Sequence, residues 1–361
     1  MKLFDDPTVK HGFATRAVPP AEMAGVVPMS RAPRIGDMVM AEVLSIGKNK
    51  TLEARNGVTM YLFEGDRIVG AFGHRYATDQ YEGYVPEGPV EKCDLLSVGG
   101  VCGEVVSRHT AMGEPTKLRV LGMVGDQDGR PINQRGFGLP PRGNGGGDAE
   151  VILVIGSSMN AGKTTTVGTL TRALSRAGFS VAAGKVTGTA AGKDGRFFAS
   201  CGARPALDFT TVGYPSTYMV GLDELLTIYR DLLAHLRAAD TDYIILEVAD
   251  GIFQRETRML LESAEFRDGA DHVFFAAGDS LSAESGVRFV QDHGLPLRAT
   301  AGTVTQSVLA TRETEEATGL PCLSVKRIMD GTLMEMLDTG RKIESNGRNR
   351  AYVTSPIGRR L

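Results

Sequence analysis

The stretch Val151-Ile-Leu-Val-Ile155-Gly-Ser-Ser-Met-Asn-Ala-Gly162-Lys163-Thr164-Thr165-Thr166 decides the fold of this chain. Its five consecutive aliphatic residues are typical of a parallel β-strand that is buried on both faces. The glycine and serine residues that follow predict a turn, and the periodicity of residues 165–177 predicts a helix that ends at Gly178. Because backbone N–H groups at a helix N-terminus attract anions, this order of elements predicts a phosphate-binding loop.

The side chains of this loop predict nucleotide binding. Lys163 places a positive charge toward the β- and γ-phosphates, and the hydroxyl of Thr164 is placed to coordinate Mg²⁺. The residues of the loop that we expect to contact the nucleotide are Ser158, Asn160, Ala161, Gly162, Lys163, Thr164 and Thr165.

The spacing of the loop distinguishes it from the common G-x-x-x-x-G-K-T pattern. Gly156 lies six residues before Gly162, so the loop is one residue longer. In this respect the segment from Gly156 to Thr164 resembles dethiobiotin synthetase and its relatives. It also resembles the loop of one type of thymidine kinase, but the zinc-binding cysteine cluster of that family is absent from the sequence.

Composition narrows the function classes. The chain has 361 residues, 42% of them hydrophobic, and a net charge of −3, which predicts two folded domains and gives no argument for nucleic acid or membrane partners. No apolar run is long enough to span a bilayer and the N-terminus lacks a signal-peptide pattern, so we expect a cytoplasmic protein. The four cysteines are widely spaced, which indicates neither a disulfide framework nor a zinc site.

We divide the chain by composition. Residues 1–35 are predicted to form an extended arm, 36–139 a β-rich domain, 140–148 a Gly/Pro linker, 149–340 the P-loop domain and 341–361 a basic tail. Short apolar runs at 38–46, 59–63, 67–72, 101–106 and 117–124 predict a small β-barrel or sandwich. The polar segment 70–84 within it concentrates His74, Arg75 and three tyrosines, so it is either a loop that binds a small polar ligand or a packed hairpin.

The second half alternates strand and helix patterns. Strands are predicted at 180–186, 243–248, 272–277, 297–301 and 322–325, and helices at 222–238, 256–265, 283–293 and 306–318. Together with 151–155 these predict an α/β fold, a mostly parallel sheet of six or more strands covered by helices on both faces. Ligands of such sheets bind at the carboxyl ends of the strands.

Charged residues follow three of these strands. Lys185 ends the second strand and Glu247 ends an apolar run typical of a Walker B strand, where an acid can hold Mg²⁺. Lys163, Lys185 and Glu247 are therefore the candidate catalytic residues. Thr164, Asp208 and Glu247 are the candidate Mg²⁺ ligands, with Asp194 as the rival of Asp208 and Asp250 ranked behind Glu247.

Over residues 150–325 the sequence resembles the dethiobiotin-synthetase-like branch of P-loop proteins. Lys185-Val-Thr-Gly188 is similar to a Lys-Pro-Val-x-x-Gly segment of that family, and Asp208 looks like its magnesium aspartate. The segment from Gly302 to Gln306 resembles the part that contacts adenine, which adds Thr305 and Gln306 to the expected nucleotide contacts. No Asn/Thr-Lys-x-Asp guanine signature is present, so ATP is preferred to GTP.

The resemblance implies an ATP- and Mg²⁺-dependent ligase or kinase that phosphorylates a small molecule, with a homodimer expected by analogy. One alternative is a nucleotide-dependent switch or chaperone that acts on a protein partner. Another follows from a similar group that carries this domain behind a different N-terminal domain, some members of which are implicated in acyl transfer to amino acids.

Overall fold

A computed structural model describes residues 6–142 and 147–337 of the chain. The first range contains ten strands. They are β1 (Lys10–His11), β2 (Gly25–Val27), β3 (Met38–Ser45), β4 (Thr51–Glu53), β5 (Thr59–Tyr61), β6 (Arg67–Phe72), β7 (Tyr81–Tyr84), β8 (Lys92–Leu95), β9 (Val101–Arg108) and β10 (Thr116–Gly125).

Five of these strands pair in a closed ring. β6 pairs with β3, β3 with β10, β10 with β8 and β8 with β9, and β9 returns to β6 through a short parallel pairing. Alternate residues of β3, including Val39, Ala41 and Val43, point inward and pack against Ile68 and Phe72 of β6. The apolar runs at 38–46, 67–72, 101–106 and 117–124 therefore correspond to four of the five ring strands.

The remaining strands attach to this ring. β1 pairs with β6, β2 with β10 and β7 with β9, while β4 and β5 form a separate two-stranded sheet. Residues 6–35, predicted as an extended arm with little regular structure, thus contribute β1 and β2. Val18 and Met23 from this segment are fully buried, which fixes it against the ring.

The second range is an α/β unit. Its elements are β11 (Glu150–Gly156), α1 (Lys163–Arg176), β12 (Val181–Lys185), α2 (Lys193–Cys201), β13 (Ala206–Asp208), α3 (Leu222–Arg237), β14 (Tyr243–Glu247), α4 (Arg255–Glu262), α5 (Ala264–Asp268), β15 (His272–Ala276), α6 (Ser280–Asp292), β16 (Leu297–Ala301), α7 (Val308–Thr318), α8 (Val325–Met329) and α9 (Thr332–Met336).

The six strands of this unit form one sheet in the order β13-β12-β14-β11-β15-β16, and every pairing is parallel. β11 is buried on both faces, as its composition predicts. Leu153 belongs to the core beneath α3 and α4, whereas Ile152 and Val154 pack with Leu170 of α1 on the opposite face. The carboxyl ends of β11, β12 and β14 therefore meet at one edge.

Most predicted elements of this half are confirmed, with exceptions at short segments. The strand predicted at 322–325 is wrong, because Cys322 makes a single bridge to Thr300 and α8 starts at Val325. The helix predicted at 256–265 breaks at Ser263 into α4 and α5. The sequence patterns missed the edge strand β13 and the helix α2.

Some predicted segments lie outside the described residues. They are the basic tail at 341–361, residues 338–340, residues 143–146 of the linker and residues 1–5 of the arm. No helix within the described ranges is both long enough and apolar enough to cross a membrane.

Candidate functional site

The loop between β11 and α1 curves tightly at its end. Asn160 and Gly162 have φ values of 63° and 104°, in the left-handed region. A Cβ atom on Gly162 would lie 2.8 Å from the Cα of Gly302, so only glycine fits there. Backbone hydrogen bonds to residues at the ends of β15 and β16 hold the loop in place. The N–H of Ser157 donates to the carbonyl of Ala276 (2.9 Å), and the N–H of Thr303 donates to the carbonyl of Ala161 (2.9 Å). The N-terminus of α1 consequently has a fixed position for binding an anion.

Lys163 is the first residue of α1 and is only 6% exposed. Its Nζ donates to the carbonyl of Ser158 at 2.7 Å, so the side chain folds back along the loop. Burial lowers the pKa of Lys163, although the carboxylates of Glu247 and Asp250 act in the opposite direction. The ammonium group therefore lies inside the loop, where a phosphate chain would meet it.

Lys185, Thr164 and Glu247 converge at the carboxyl edge of the sheet. Lys185 and Glu247 are register partners at the ends of β12 and β14. Their Nζ and Oε1 atoms lie 3.3 Å apart, and the hydroxyl of Thr164 donates to the same Oε1 at 3.2 Å. Burial lowers the pKa of Lys185. Glu247 raises this pKa, as does Asp194, which also pairs with the lysine, and the net shift is upward. Lys185 is thus held in its charged form.

These residues line a cavity of about 730 Å³ in which both halves of the chain take part. The N-terminal half contributes a single segment, residues 75–80, within the polar stretch that the sequence predicted as either a ligand-binding loop or a packed hairpin. Asp250 also lines the cavity, with φ of 64° and a pKa raised by burial. The lining residues comprise Arg75, Tyr76, Ala77, Gln80, Met159, Asn160, Gly162, Lys163, Thr164, Thr165, Lys185, Gly188, Thr189, Ala191, Lys193, Asp194, Phe197, Glu247, Ala249, Asp250 and Thr303.

A second cavity, of about 120 Å³, lies behind α1. It is lined by Gly162 and Thr165 of the phosphate loop and helix, and by Thr305 and Gln306 from the turn after β16. The apolar part of its wall includes Leu323, Val325 and Ile328. The structure therefore places Thr305 and Gln306 beside the phosphate loop, and their contact with the nucleotide stays a prediction.

Asp208 is a wrong prediction for the Mg²⁺ site. It lies on the edge strand β13 and lines a different cavity, together with Arg16. Its Oδ1 atom accepts from Arg16 Nη2 at 2.7 Å and from the N–H of Thr210 at 2.8 Å. The rival residue Asp194 lines the phosphate-loop cavity instead, where it pairs with Lys185. Asp208 therefore joins the two halves of the chain, a role that local sequence does not reveal.

The loop after β13 is hydrogen-bonded to the segment between β12 and α2, part of which lines the cavity. Thr217 Oγ1 accepts from the N–H of Gly188 at 2.9 Å, and the N–H of Ala190 donates to the carbonyl of Pro215 at 2.9 Å. None of residues 208–217 lines the phosphate-loop cavity.

The residues present fit a magnesium ion. Glu247 is 2% exposed, and its Oε2 atom is buried without a hydrogen-bond partner among the residues described. An unpaired buried carboxylate oxygen is costly unless a cation or donor occupies the space beside it. In the described part of the chain no group of three or more His, Cys, Asp or Glu residues forms a metal cage. Mg²⁺ commonly needs none, because one or two carboxylates and the substrate phosphates suffice.

The sheet order, the loop between β11 and α1, and the acid at the end of β14 together define a P-loop NTPase fold. No family model and no curated protein matches the chain.

Solved structures that match part of this chain include two signal recognition proteins. The Signal Recognition Particle 54 kDa protein from Aeropyrum pernix K1, in complex with GDP, is 19% identical over 58% of this chain and 52% of its own, with a TM-score of 0.36. The signal recognition particle receptor FtsY from Elizabethkingia anophelis is 16% identical over 48% of this chain and 59% of its own, with a TM-score of 0.30. The chain spans only a little over half the length of each, and both matches are too distant to assign a function.

Proposed function

We propose that this protein is an ATP- and Mg²⁺-dependent enzyme that transfers the γ-phosphoryl group to a small-molecule acceptor, as a kinase or as the first step of a ligase. The observation that carries the proposal is the shared cavity of about 730 Å³, whose phosphate-binding side continues into a wall formed by Arg75, Tyr76, Ala77 and Gln80 of the other half of the chain. Its size is that of an ordinary small-molecule site.

The roles of the residues follow from their positions. Lys163 and the N-terminus of α1 bind the phosphate chain, and Thr164 and Glu247 hold Mg²⁺, which neutralises charge on the phosphates. Lys185 stabilises charge that develops on the transferring group. An acceptor oxygen forms a bond to the γ-phosphorus while the bond to the β–γ bridging oxygen breaks and ADP leaves. Where the acceptor is a carboxylate, the product is an acyl phosphate that an amine can attack, with phosphate as the leaving group.

The second cavity supports adenine as the base. Its described lining contains threonine and glutamine side chains and no acidic residue. A carboxylate would be a strong acceptor for the N–H groups of guanine, whereas the amide of Gln306 can both donate to and accept from the edge of adenine.

Several finer assignments remain proposals. We propose membership of the dethiobiotin-synthetase-like branch, on the long loop and on Lys185 and Glu247 at the sheet edge. The strand ring supports classification of residues 36–139 as a small barrel, separate from a P-loop domain. The homodimer and the cytoplasmic location stay predictions.

A nucleotide-dependent switch is the second candidate, and one observation favours it. The segment between β12 and α2 is bound to the N-terminal half, because the N–H of Gly192 donates to Glu53 Oε2 at 2.6 Å. Glu53 also pairs with Arg196 of α2 at 2.5 Å. A movement of Lys185 or Asp194 on nucleotide hydrolysis would therefore be transmitted to β4 of the N-terminal half. The acyltransferase alternative has no comparable observation.

Nucleotide turnover tests the proposal. ADP release by the purified protein is measured with ATP and Mg²⁺, with and without a panel of small carboxylic acids and alcohols. We expect acceptor-stimulated release that falls about 100-fold or more in Lys163→Ala. The control Lys326→Ala removes an exposed lysine of α8 and should leave turnover unchanged.

Two results contradict the proposal. If ATP binds but no acceptor yields ADP, phosphoryl transfer to a small molecule is wrong. If turnover is already high without any acceptor, and the affinity for a protein partner changes with the bound nucleotide, the switch is the correct function.

A further inference from the structure

Arg75 is a buried cation in the wall of the phosphate-loop cavity. It is 7% exposed, and its Nη2 atom donates to Gln80 Oε1 at 2.6 Å. The Nε and Nη1 atoms are buried and have no partner in the described part of the chain. Burial lowers the pKa of Arg75 to about 10, so the guanidinium is still charged at neutral pH. A buried charge with unpaired donors is unfavourable, which indicates that an anion belongs beside it.

The position of Arg75 relative to the phosphate loop is fixed. Its N–H donates to the carbonyl of Gly83 at 2.8 Å, and the N–H of Gly83 returns a bond to its carbonyl at 3.0 Å. Four residues further along the chain, Asp79 accepts a hydrogen bond from Asn160 of the phosphate loop. The segment that carries Arg75 is therefore attached to both the strand ring and the nucleotide site.

The position of Arg75 in the cavity indicates which anion it meets. Lys163 and Lys185 line the cavity from the C-terminal half of the chain, whereas Arg75 enters it from the N-terminal half. Asp250 lines the same cavity and acts on the pKa of both Arg75 and Lys163. Because the C-terminal half already supplies cations for the phosphates, we assign the anion beside Arg75 to the other ligand of the cavity.

We propose that Arg75 binds a carboxylate of the acceptor, so that the second substrate is a small carboxylic acid. The guanidinium group suits this role because its planar N–H donors match the geometry of a carboxylate. The inference rests on the proposed function and deepens it: the nucleotide is bound by the C-terminal half, and the acceptor is selected by a residue of the N-terminal half.

Paired ligands test the inference. The thermal stability of the wild-type protein, saturated with Mg·ADP, is measured with small mono- and dicarboxylic acids, each compared with its primary amide. We expect at least one acid to raise the melting temperature while its amide does not. In Arg75→Met, which keeps an unbranched stem and removes the charged guanidinium group, the apparent affinity for that acid should fall about 10- to 100-fold.

The affinity for Mg·ADP separates this role from phosphate binding. It should change less than about threefold in Arg75→Met, because charge-assisted contacts to the phosphates are made by other residues. Arg67→Met, which removes an exposed arginine of β6, is the matched control and should keep both affinities. If Arg75→Met does not fold, Arg75→Lys takes its place, and we expect this charged variant to fold and to bind the acid more weakly, because it lacks the planar pair of N–H donors.

Three outcomes overturn the inference. They are equal effects of acids and amides on the wild type, an affinity for the acid that is unchanged in the Arg75 variant, and a loss of Mg·ADP affinity in Arg75→Met as large as that in Lys163→Ala. Failure of the proposed function is a separate observation, since the wild-type protein would then form no ADP from ATP with any acid present.

Discussion

Replacing Glu247 with glutamine removes one buried negative charge from the phosphate-loop cavity and keeps the shape of the side chain. The lost attraction is that between Glu247 Oε1 and Lys185 Nζ, 3.3 Å apart, which is roughly 5 kcal/mol at an effective dielectric constant of 20. Burying a carboxylate costs several kcal/mol, which offsets most of this gain. Lys185 also keeps Asp194 as its partner. We therefore expect Glu247→Gln to lower the free energy of unfolding by about 2 kcal/mol or less, and the melting temperature by less than about 8 °C.

The effect on the metal should be larger than the effect on the fold. The unpaired Oε2 atom of Glu247 is the oxygen that we assign to Mg²⁺, and a glutamine at this position carries no negative charge. A charge-assisted contact contributes about 1.5–3 kcal/mol, which corresponds to a factor of about 10–150 in affinity. We expect Mg²⁺ to increase the affinity of the wild-type protein for nucleotide, and we expect this increase to be smaller by that factor in Glu247→Gln.

Calorimetric titration of ADP and ATP, once with Mg²⁺ and once with a chelator, measures that increase. Glu262→Gln, which removes an exposed carboxylate of α4, is the control and should retain the full effect of Mg²⁺. The reasoning is refuted if Glu247→Gln folds normally and binds nucleotide with an unchanged dependence on Mg²⁺.

Two further predictions concern stability. Gly162→Ala places a Cβ atom 2.8 Å from the Cα of Gly302 at a φ of 104°. Chemical denaturation should therefore show that the free energy of unfolding falls by about 2 kcal/mol or more. The control Gly113→Ala, at an open position, should lower it by about 0.5 kcal/mol or less. Burial lowers the pKa of His74, whose Nδ1 accepts from the N–H of Val85 at 3.0 Å. The folded state therefore binds a proton less readily than the unfolded state. Stability is complete above the unfolded pKa of about 6.5, falls as the pH drops from there toward the folded pKa, and levels off below it. His74→Gln should reduce the difference in stability between pH 7.5 and pH 5 in urea denaturation.

The parts of the site that local sequence determines were predictable. The strand β11, the loop and the start of α1 are adjacent in the chain, so the positions of Gly162, Lys163 and Thr164 follow from a single stretch. Lys185 and Glu247 were also predictable, since each ends an apolar run and the carboxyl ends of parallel strands share an edge.

Contacts between distant segments were not predictable in this way. Asp208 resembled the magnesium aspartate of the dethiobiotin-synthetase-like proteins, but its partner Arg16 lies 192 residues away in the chain. The segment that carries Arg75 was recognised from the sequence as polar and rich in aromatic residues. Nothing within that segment shows that it lies at the phosphate loop, because its position depends on the contact between Asp79 and Asn160, 81 residues later in the chain.

The division of the cavity between the two halves of the chain has a consequence for specificity. All the residues that the N-terminal half contributes lie between positions 75 and 80, in the connection between β6 and β7. Changes in this connection can therefore alter the acceptor without disturbing Lys163 or Glu247. The constraint on such changes is the contact between Asp79 and Asn160, because it sets the separation between Arg75 and the phosphate loop. An acceptor must match that separation to present its reacting oxygen to the γ-phosphate while its carboxylate is bound, so length as well as charge should decide which acids are substrates.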